Sequence, residues 1–420
     1  MQSIHTDPML PKPRPQLFAV QSSPSPRLRI LQVVPTYFPA VRYGGPIRSV
    51  HALSKALVDL GHEVHVFSSS MDGPKDLEVD EAVPTIIDGV YVHYFRVPML
   101  RRLCWCPSML HALREQASSF DIMHLHSVFL WPTFAAARTA TALGLPYLVA
   151  PRGMLSKVAI NGKSRLLKTA WIRIFEQKTL RDAAGIHVTT DLETTELREL
   201  GLDLSEIVCV PNSVSWPARH SPLAAGPYAK IPQPYVLFLS RIDWKKGLDR
   251  LIESWKRIPP DITLIIAGND EEGYSQKLRK IAGVHQVGER IHFLGPVSDA
   301  DKWALYENAL MFVLPSYSEN FGNVVAEAMA MGCPVVVTPE VGLAHVVRES
   351  GAGIVADGDP VAFASAIRSL LDDPARRKAM GERGRSSAIA QLSSESLARR
   401  MESIYRGMLK RGSTEHRRAI

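Results

Sequence analysis

Long apolar runs are the first thing this chain lacks: none reaches the roughly 18 residues that a spanning helix needs, so any membrane contact is expected to be peripheral. Cysteine is scarce too. The four, at 104, 106, 209 and 333, have neither the number nor the spacing of a disulfide framework or a zinc site, and no metal is assigned. Cys104-Trp-Cys106 reads as two incidental thiols in a reduced compartment, which favours the cytoplasm. No arginine-rich block with interleaved aromatics supports a nucleic-acid partner. The net charge of +7 and the pI near 9.2 suit a phosphate-bearing ligand or an anionic membrane surface instead. The spaced dinucleotide fingerprint is also missing, which disfavours a nicotinamide site. Residues 1–28 carry prolines at 8, 11, 13, 15, 24 and 26 without a continuous apolar core, and read as a disordered leader rather than a signal peptide.

What is present is alternation. Short apolar strands (Arg29 to Val34, Glu63 to Phe67, Val90 to Phe95, Asp121 to His126, Ile186 to Val188) are separated by helical patterns, which implies a parallel, doubly wound α/β sheet. A stretch rich in Pro and Ala, 216–234, reads as a linker, and Tyr235-Val-Leu-Phe-Leu239 restarts the pattern. At 420 residues, with 46% hydrophobic and 22% charged content, the chain suits two domains, 29–215 and 235–390.

Several strand ends carry chemistry. The apolar run Leu310 to Leu314 leads into a turn with Glu319, Asn320 and Gly322, then into an Ala-rich helix carrying Glu327 on the same face as Asn323. Ligands of open α/β sheets bind outside the carboxyl ends of strands, so this turn is a candidate binding edge. Two glutamates at this spacing also occur by chance, one favouring a helix dipole and the other solvated. Arg241 and Lys246, in Ser240-Arg-Ile-Asp-Trp-Lys-Lys-Gly247, open a helix and can converge on a diphosphate as planar fork and point charge. The paired Gly44-Gly45 follows the first strand, and His126 ends its own strand, where it can make proton or hydroxyl contacts.

The word Ser318-Glu-Asn-Phe-Gly-Asn-Val-Val-Ala-Glu-Ala-Met-Ala-Met-Gly-Cys-Pro334 closely resembles the signature of the group 1, or family 4, retaining glycosyltransferases. That resemblance implies the GT-B fold, two facing Rossmann-like domains with a central cleft, and covers roughly 29–409. It implies that Glu319 faces the donor sugar, that Glu327 holds the ribose hydroxyls, and that the amides of Asn320, Phe321 and Gly322 approach the sugar. Arg241 and Lys246 would neutralise the leaving diphosphate, Gly44 and Gly45 would lie beside the phosphates, His126 would support the reacting face, and Val297 would contact the base. It further implies a final helix, about 391–410, that crosses back to the first domain. No cofactor is implied; a UDP-, GDP- or ADP-linked sugar is the co-substrate. Ser213 departs from the family's usual Pro-Asn-Gly. Rival readings on this scaffold are a nucleotide-sugar epimerase, a phosphorylase, or an inactive sugar-nucleotide-binding subunit.

Pro151-Arg-Gly-Met-Leu155 resembles a signature of the branch that builds exported polysaccharides. Arg152 at the cleft mouth can bind an anionic acceptor or donor group, or form a surface ion pair. The acceptor expected is lipid-linked or a growing saccharide. Residues 151–182 are strongly basic, with Leu166, Leu167, Ala170, Trp171, Ile174 and Phe175 interleaved. The segment can lie on the anionic inner face of the plasma membrane or turn this apolar set inward; the core is the expected place of the aromatics.

Overall fold

β-Branched and apolar runs too short for helices become strands buried on both faces, and the longer amphipathic stretches between them become the covering helices. The computed structural model describes residues 26–40, 45–161, 165–214, 216, 228, 230–270 and 273–418. The expected leader (for 1–25), most of the expected linker, and Gly44 lie outside the described residues.

In chain order the first unit contributes β1 (Arg29–Thr36), β2 (Glu63–Ser69), a small hairpin of β3 (Met71–Asp72) and β4 (Lys75–Asp76), β5 (Thr85–Ile87), β6 (Val90–Phe95), β7 (Ile122–His126), β8 (Tyr147–Ala150), β9 (Gly185–Val188) and β10 (Ile207–Cys209). Apart from the hairpin they form one sheet, ordered β10-β9-β8-β7-β1-β2-β6-β5, parallel except for the edge strand β5. The second unit has β11 (Tyr235–Leu239), β12 (Thr263–Ala267), β13 (Ile291–Gly295), β14 (Phe312–Leu314), β15 (Val335–Val337) and β16 (Gly353–Val355), all parallel, ordered β13-β12-β11-β14-β15-β16. Strand order reverses between β1 and β7 in the first sheet, and between β11 and β14 in the second. Such switch points open a crevice at the strands' carboxyl ends. His126 ends β7, Arg241 follows β11, and Glu319 follows β14.

The chain crosses between units twice. The helix Pro374–Leu392 packs on the second unit, where Gly381 leaves room only for backbone: a Cβ there would meet Gly332 O at 2.0 Å. The next helix, Ser394–Arg418, buries Leu397, Ala398, Met401, Tyr405 and Met408 in the first unit's core, and Arg400 Nη2 donates to Cys209 O at 2.6 Å. Full burial of a Leu or Met side chain stabilises by about 1.5–3 kcal/mol. At the crossing, Val214 N donates to Leu392 O at 3.1 Å, so outgoing and returning segments lie side by side.

The apolar set of the basic segment 151–182 divides between interior and solvent. Trp171 and Phe175 are half-buried, their ring centroids 4.6 Å apart and their planes tilted by 52°, but Leu166, Leu167 and Ile174 do not face the core: they are 85%, 74% and 66% exposed. The run Arg165–Trp171 passes through one π-turn, Ile172–Glu176, into Gln177–Asp182. That wider turn resets the phase so that Ile172 and Glu176 point inward while Ile174 points out.

Candidate active site in the cleft

The loop after β14 is held by tight packing. Gly247 lies against it at φ 66, and a Cβ there would fall 1.9 Å from Pro315 O, so only glycine fits. Gly322, at φ 96, precedes the helix Asn323–Ala330, which no side chain caps. Val325 N donates back to Gly322 O at 2.8 Å, and the first two residues of the helix, Asn323 and Val324, line the cleft, where a helix start favours an anionic or hydroxylated ligand.

Glu319 forms an ion pair with Lys246, both side chains largely buried. Burial pushes the Glu319 carboxyl up, but Lys246, the Phe321 N–H and Arg241 outweigh it and hold it below the usual carboxylate range. Asp243 Oδ1 accepts from Lys245 N at 2.8 Å and fixes the turn Trp244–Lys246 that presents the lysine. These groups line a cavity of about 420 Å³ whose opposite wall is Gly45, Ser49, Arg152, Gly153, Ser156 and Asn212 of the first unit. Gly45 abuts Asn323: a Cβ there would lie 2.6 Å from Asn323 Nδ2.

Glu327 lines a neighbouring cavity of about 600 Å³ with Phe38, His51, Trp216, Lys302 and Trp303. The two cavities share Gly45, Ser49, Asn323 and Val324, so the diphosphate and ribose candidates lie along one cleft. Glu327 accepts from Lys302 Nζ at 2.6 Å and from Tyr306 OH at 3.1 Å. Val297 lines neither cavity; it packs against the second unit's core.

His126 sits behind the wall rather than on it, 1% exposed. Arg152 stands in front, donating from Nη2 to His126 Nδ1 at 3.0 Å and from Nη1 to Asn212 Oδ1 at 2.5 Å. With Nδ1 accepting, His126 Nε2–H must donate to Gln32 Oε1, 2.6 Å away. Deeper in, His187 Nε2–H donates to Val210 O at 2.8 Å, so His187 Nδ1 accepts from His124 Nε2–H, and Tyr405 OH donates to His124 Nδ1. The stack is neutral throughout: burial first, then neighbouring cationic and imidazole groups, hold His124 and His126 well below the usual range, and burial with Arg152 brings His187 to about 3. Arg152 itself is lowered to about 10, mainly by burial. At φ 56 it occupies a strained left-handed conformation, a common mark of a functional loop.

The structure thus brings together Gly45, Arg152, Arg241, Lys246, Glu319, Asn320 and Phe321 on one cavity and Glu327 on the next, with His126 one residue removed and Val297 apart. Sequence reasoning missed Asn212 and Lys302 and named Asn323 only for the face it shares with Glu327. Asn212 Nδ2 donates to Asn323 Oδ1 across the cleft at 3.3 Å. Among the described residues no group of three His, Cys, Asp or Glu side chains could hold a metal ion.

Residues 229–387 match the family described as glycosyl transferases group 1, and residues 44–213 match a glycosyl transferase 4-like domain. The chain is 30% identical over 389 residues to a glycogen synthase of Mycobacterium tuberculosis, covering 85% of this chain and 90% of that one. It is 29% identical over 375 residues to a D-inositol 3-phosphate glycosyltransferase of Kineococcus radiotolerans, covering 81% and 85%. Among solved structures, sucrose-phosphate synthase from Thermosynechococcus elongatus superposes with a TM-score of 0.72 at 22% identity, covering 91% of this chain and 100% of that one. Anabaena HepE, solved with UDP and glucose, gives 0.69 at 17%, with the same coverage. The fold is GT-B, and the chain is a group 1 glycosyltransferase.

Proposed function

We propose that this chain moves a hexosyl group from a nucleotide sugar to a lipid-linked or growing saccharide acceptor, with retention of configuration and without a metal, in exopolysaccharide or lipopolysaccharide biosynthesis. The observation that carries the reading is the convergence of Arg241, Lys246 and the buried Glu319 on one cavity that faces Arg152 and Gly45 across the cleft. Relatives solved with UDP-glucose support a sugar nucleotide as donor.

In this reading the bond from the anomeric carbon to the diphosphate oxygen breaks and its electron pair stays on the diphosphate. Arg241 and Lys246 stabilise that developing charge more than the ground state, which is what accelerates the step. Lys246 has three N–H donors, so it can keep Glu319 and still reach a phosphate oxygen. Glu319 holds sugar hydroxyls, Glu327 holds the ribose, and Arg152, backed by neutral His126, meets the acceptor. The acceptor hydroxyl attacks from the face the diphosphate leaves, and its proton passes to the departing oxygen, so no protein nucleophile is assigned.

The chain works in the cytoplasm, its first unit resting on the inner face of the plasma membrane. Support comes from Leu166, Leu167 and Ile174, exposed on one helical run with Arg165, Arg173 and Lys178. Among the described residues no carboxylate pairs with those three cations. Apolar side chains flanked by unpaired cations fit an anionic bilayer surface.

The test is a panel of UDP-, GDP- and ADP-linked sugars scored by thermal shift and by transfer of radiolabelled sugar. A donor at 100 times its Kd stabilises by about 2.7 kcal/mol, so one nucleotide series should raise Tm clearly and yield glycosylated product. No shift with any of them, or interconversion of the donor without transfer, overturns the reading.

A further inference from the structure

One buried carboxylate ties the two units together, and the reaction outlined above makes no use of it. Glu193, 4% exposed, lies near the start of the first-unit helix Asp191–Arg198. Thr190-Asp-Leu-Glu193 has the spacing of a capping box, and Thr190 Oγ1 does accept from Glu193 N at 3.1 Å. A capping role would send the carboxylate back to the Thr190 amide. Instead Oε2 accepts from Thr189 N and Thr189 Oγ1, each at 2.8 Å, and from Asn320 Nδ2 at 3.3 Å, while Oε1 accepts from Gly153 N at 2.6 Å. Two of those four donors belong to loops that frame the cleft from opposite units.

The surrounding contacts are built for this approach. Asn320 Nδ2 also donates to Thr189 Oγ1 at 3.0 Å, and Asn320 O accepts from Thr190 Oγ1 at 3.2 Å. Gly153, at φ 74, has no room for a side chain: a Cβ would lie 2.7 Å from Asn320 Cβ. A Cβ at Gly342 would fall 2.0 Å from Asn320 O and 2.8 Å from Thr190 Cγ2. Asn320 follows Glu319, and Gly153 follows Arg152. One carboxylate therefore bridges the residue after the sugar-facing glutamate and the residue after the acceptor-side arginine.

We propose that Glu193 is a positioning residue: through Asn320 and Gly153 it sets the donor loop against the Arg152 turn when the cleft is shut. Its kinetic consequence rests on the transfer reading; its geometric consequence does not. In Glu193→Gln, an amide NH₂ must face either Gly153 N–H or the donors of Thr189 and Asn320, so one loop is released. Asn320→Asp sets a second carboxylate against the first. In the double variant Glu193→Gln/Asn320→Asp the amide can donate to the new carboxylate, restoring a complementary pair from opposite units.

Two measurements test this on the full chain. In hydrogen exchange, Glu193→Gln should raise exchange at 151–155 and 318–323 together, with or without any transfer activity. Unchanged exchange at 318–323 overturns the proposal. In steady-state assays, loss of a charge-assisted contact should lower kcat on the order of 30-fold, with donor KM changed less than about threefold. The double variant should recover at least about tenfold over Asn320→Asp. A residue needed only for folding of the first unit would not be rescued from the other unit, so absence of rescue also overturns it. Should Glu193→Gln not fold, Asn320→Ala reads the same contact from the other side by the same two measurements. A wild type that neither binds nor transfers any sugar nucleotide sinks the transfer reading alone, leaving the exchange result to decide the contact.

Discussion

Lowering the pH from 7 to 5.5 should destabilise the first unit through its buried imidazoles. His187 gives its Nε2–H to Val210 O and accepts from His124 at Nδ1, so protonating that ring sets two N–H groups against each other. In the fold His124 and His126 titrate well below 6.5 and His187 near 3, whereas the unfolded chain titrates near 6.5. Because the folded values are depressed, the unfolded chain takes up the protons first. The stabilisation is therefore full above about pH 6.5 and is lost progressively as the pH falls from there toward about 3. Each ring loses on the order of 1 kcal/mol over this step, and the stack together roughly 3–4 kcal/mol. For a unit of this size that is about 10 °C in melting temperature. His62, His65 and His93 are also lowered, chiefly by burial, and add to the slope. His187→Gln can still donate to Val210 O and accept from His124, but cannot titrate. Urea unfolding followed by circular dichroism at both pH values should show the variant losing about 1 kcal/mol less than the wild type. Equal losses in the two proteins would refute the neutral-stack assignment.

Two further outcomes follow from the geometry. Lys246→Met removes the partner of a buried carboxylate and a proposed phosphate contact, so kcat/KM should fall at least about 100-fold; Glu319 protonates more readily at the same time, and retained activity would remove Lys246 from the site. Leu166→Asp/Leu167→Asp should abolish flotation with vesicles containing phosphatidylglycerol while leaving transfer to a water-soluble acceptor within about twofold, since both side chains are exposed. Binding to neutral vesicles alone, or flotation unaffected by the substitutions, would count against membrane docking.

The sheet and the second-unit half of the site were legible because each rests on local grammar. Arg241, Lys246, Glu319 and Glu327 sit where a strand gives way to a helix, and such turns are spelled by consecutive residues. Contacts across the cleft have no such spelling. Asn320 and Thr189 meet over a separation of 131 residues, and Thr190-Asp-Leu-Glu193 read alone gives only a helix cap. His126 ends β7 as its apolar run implies, but nothing local says that the Arg152 side chain stands between it and the cavity. The periodicity of 165–182 marked an apolar face without saying which way it points, and the π-turn settled that by shifting phase. Val297 sits away from both cavities because β13 lies at the sheet edge, two strands from the switch point.

The side-by-side passage of Val214 and Ser393 has a mechanical consequence. A protein joined by one thread can swivel freely, but a doubled strap resists twisting and sliding and leaves bending as the soft mode. The halves should therefore open like a jaw about that strap, and the pull of each opening should reach Tyr405, carried on the returning helix, and through its hydroxyl the rings beneath Arg152.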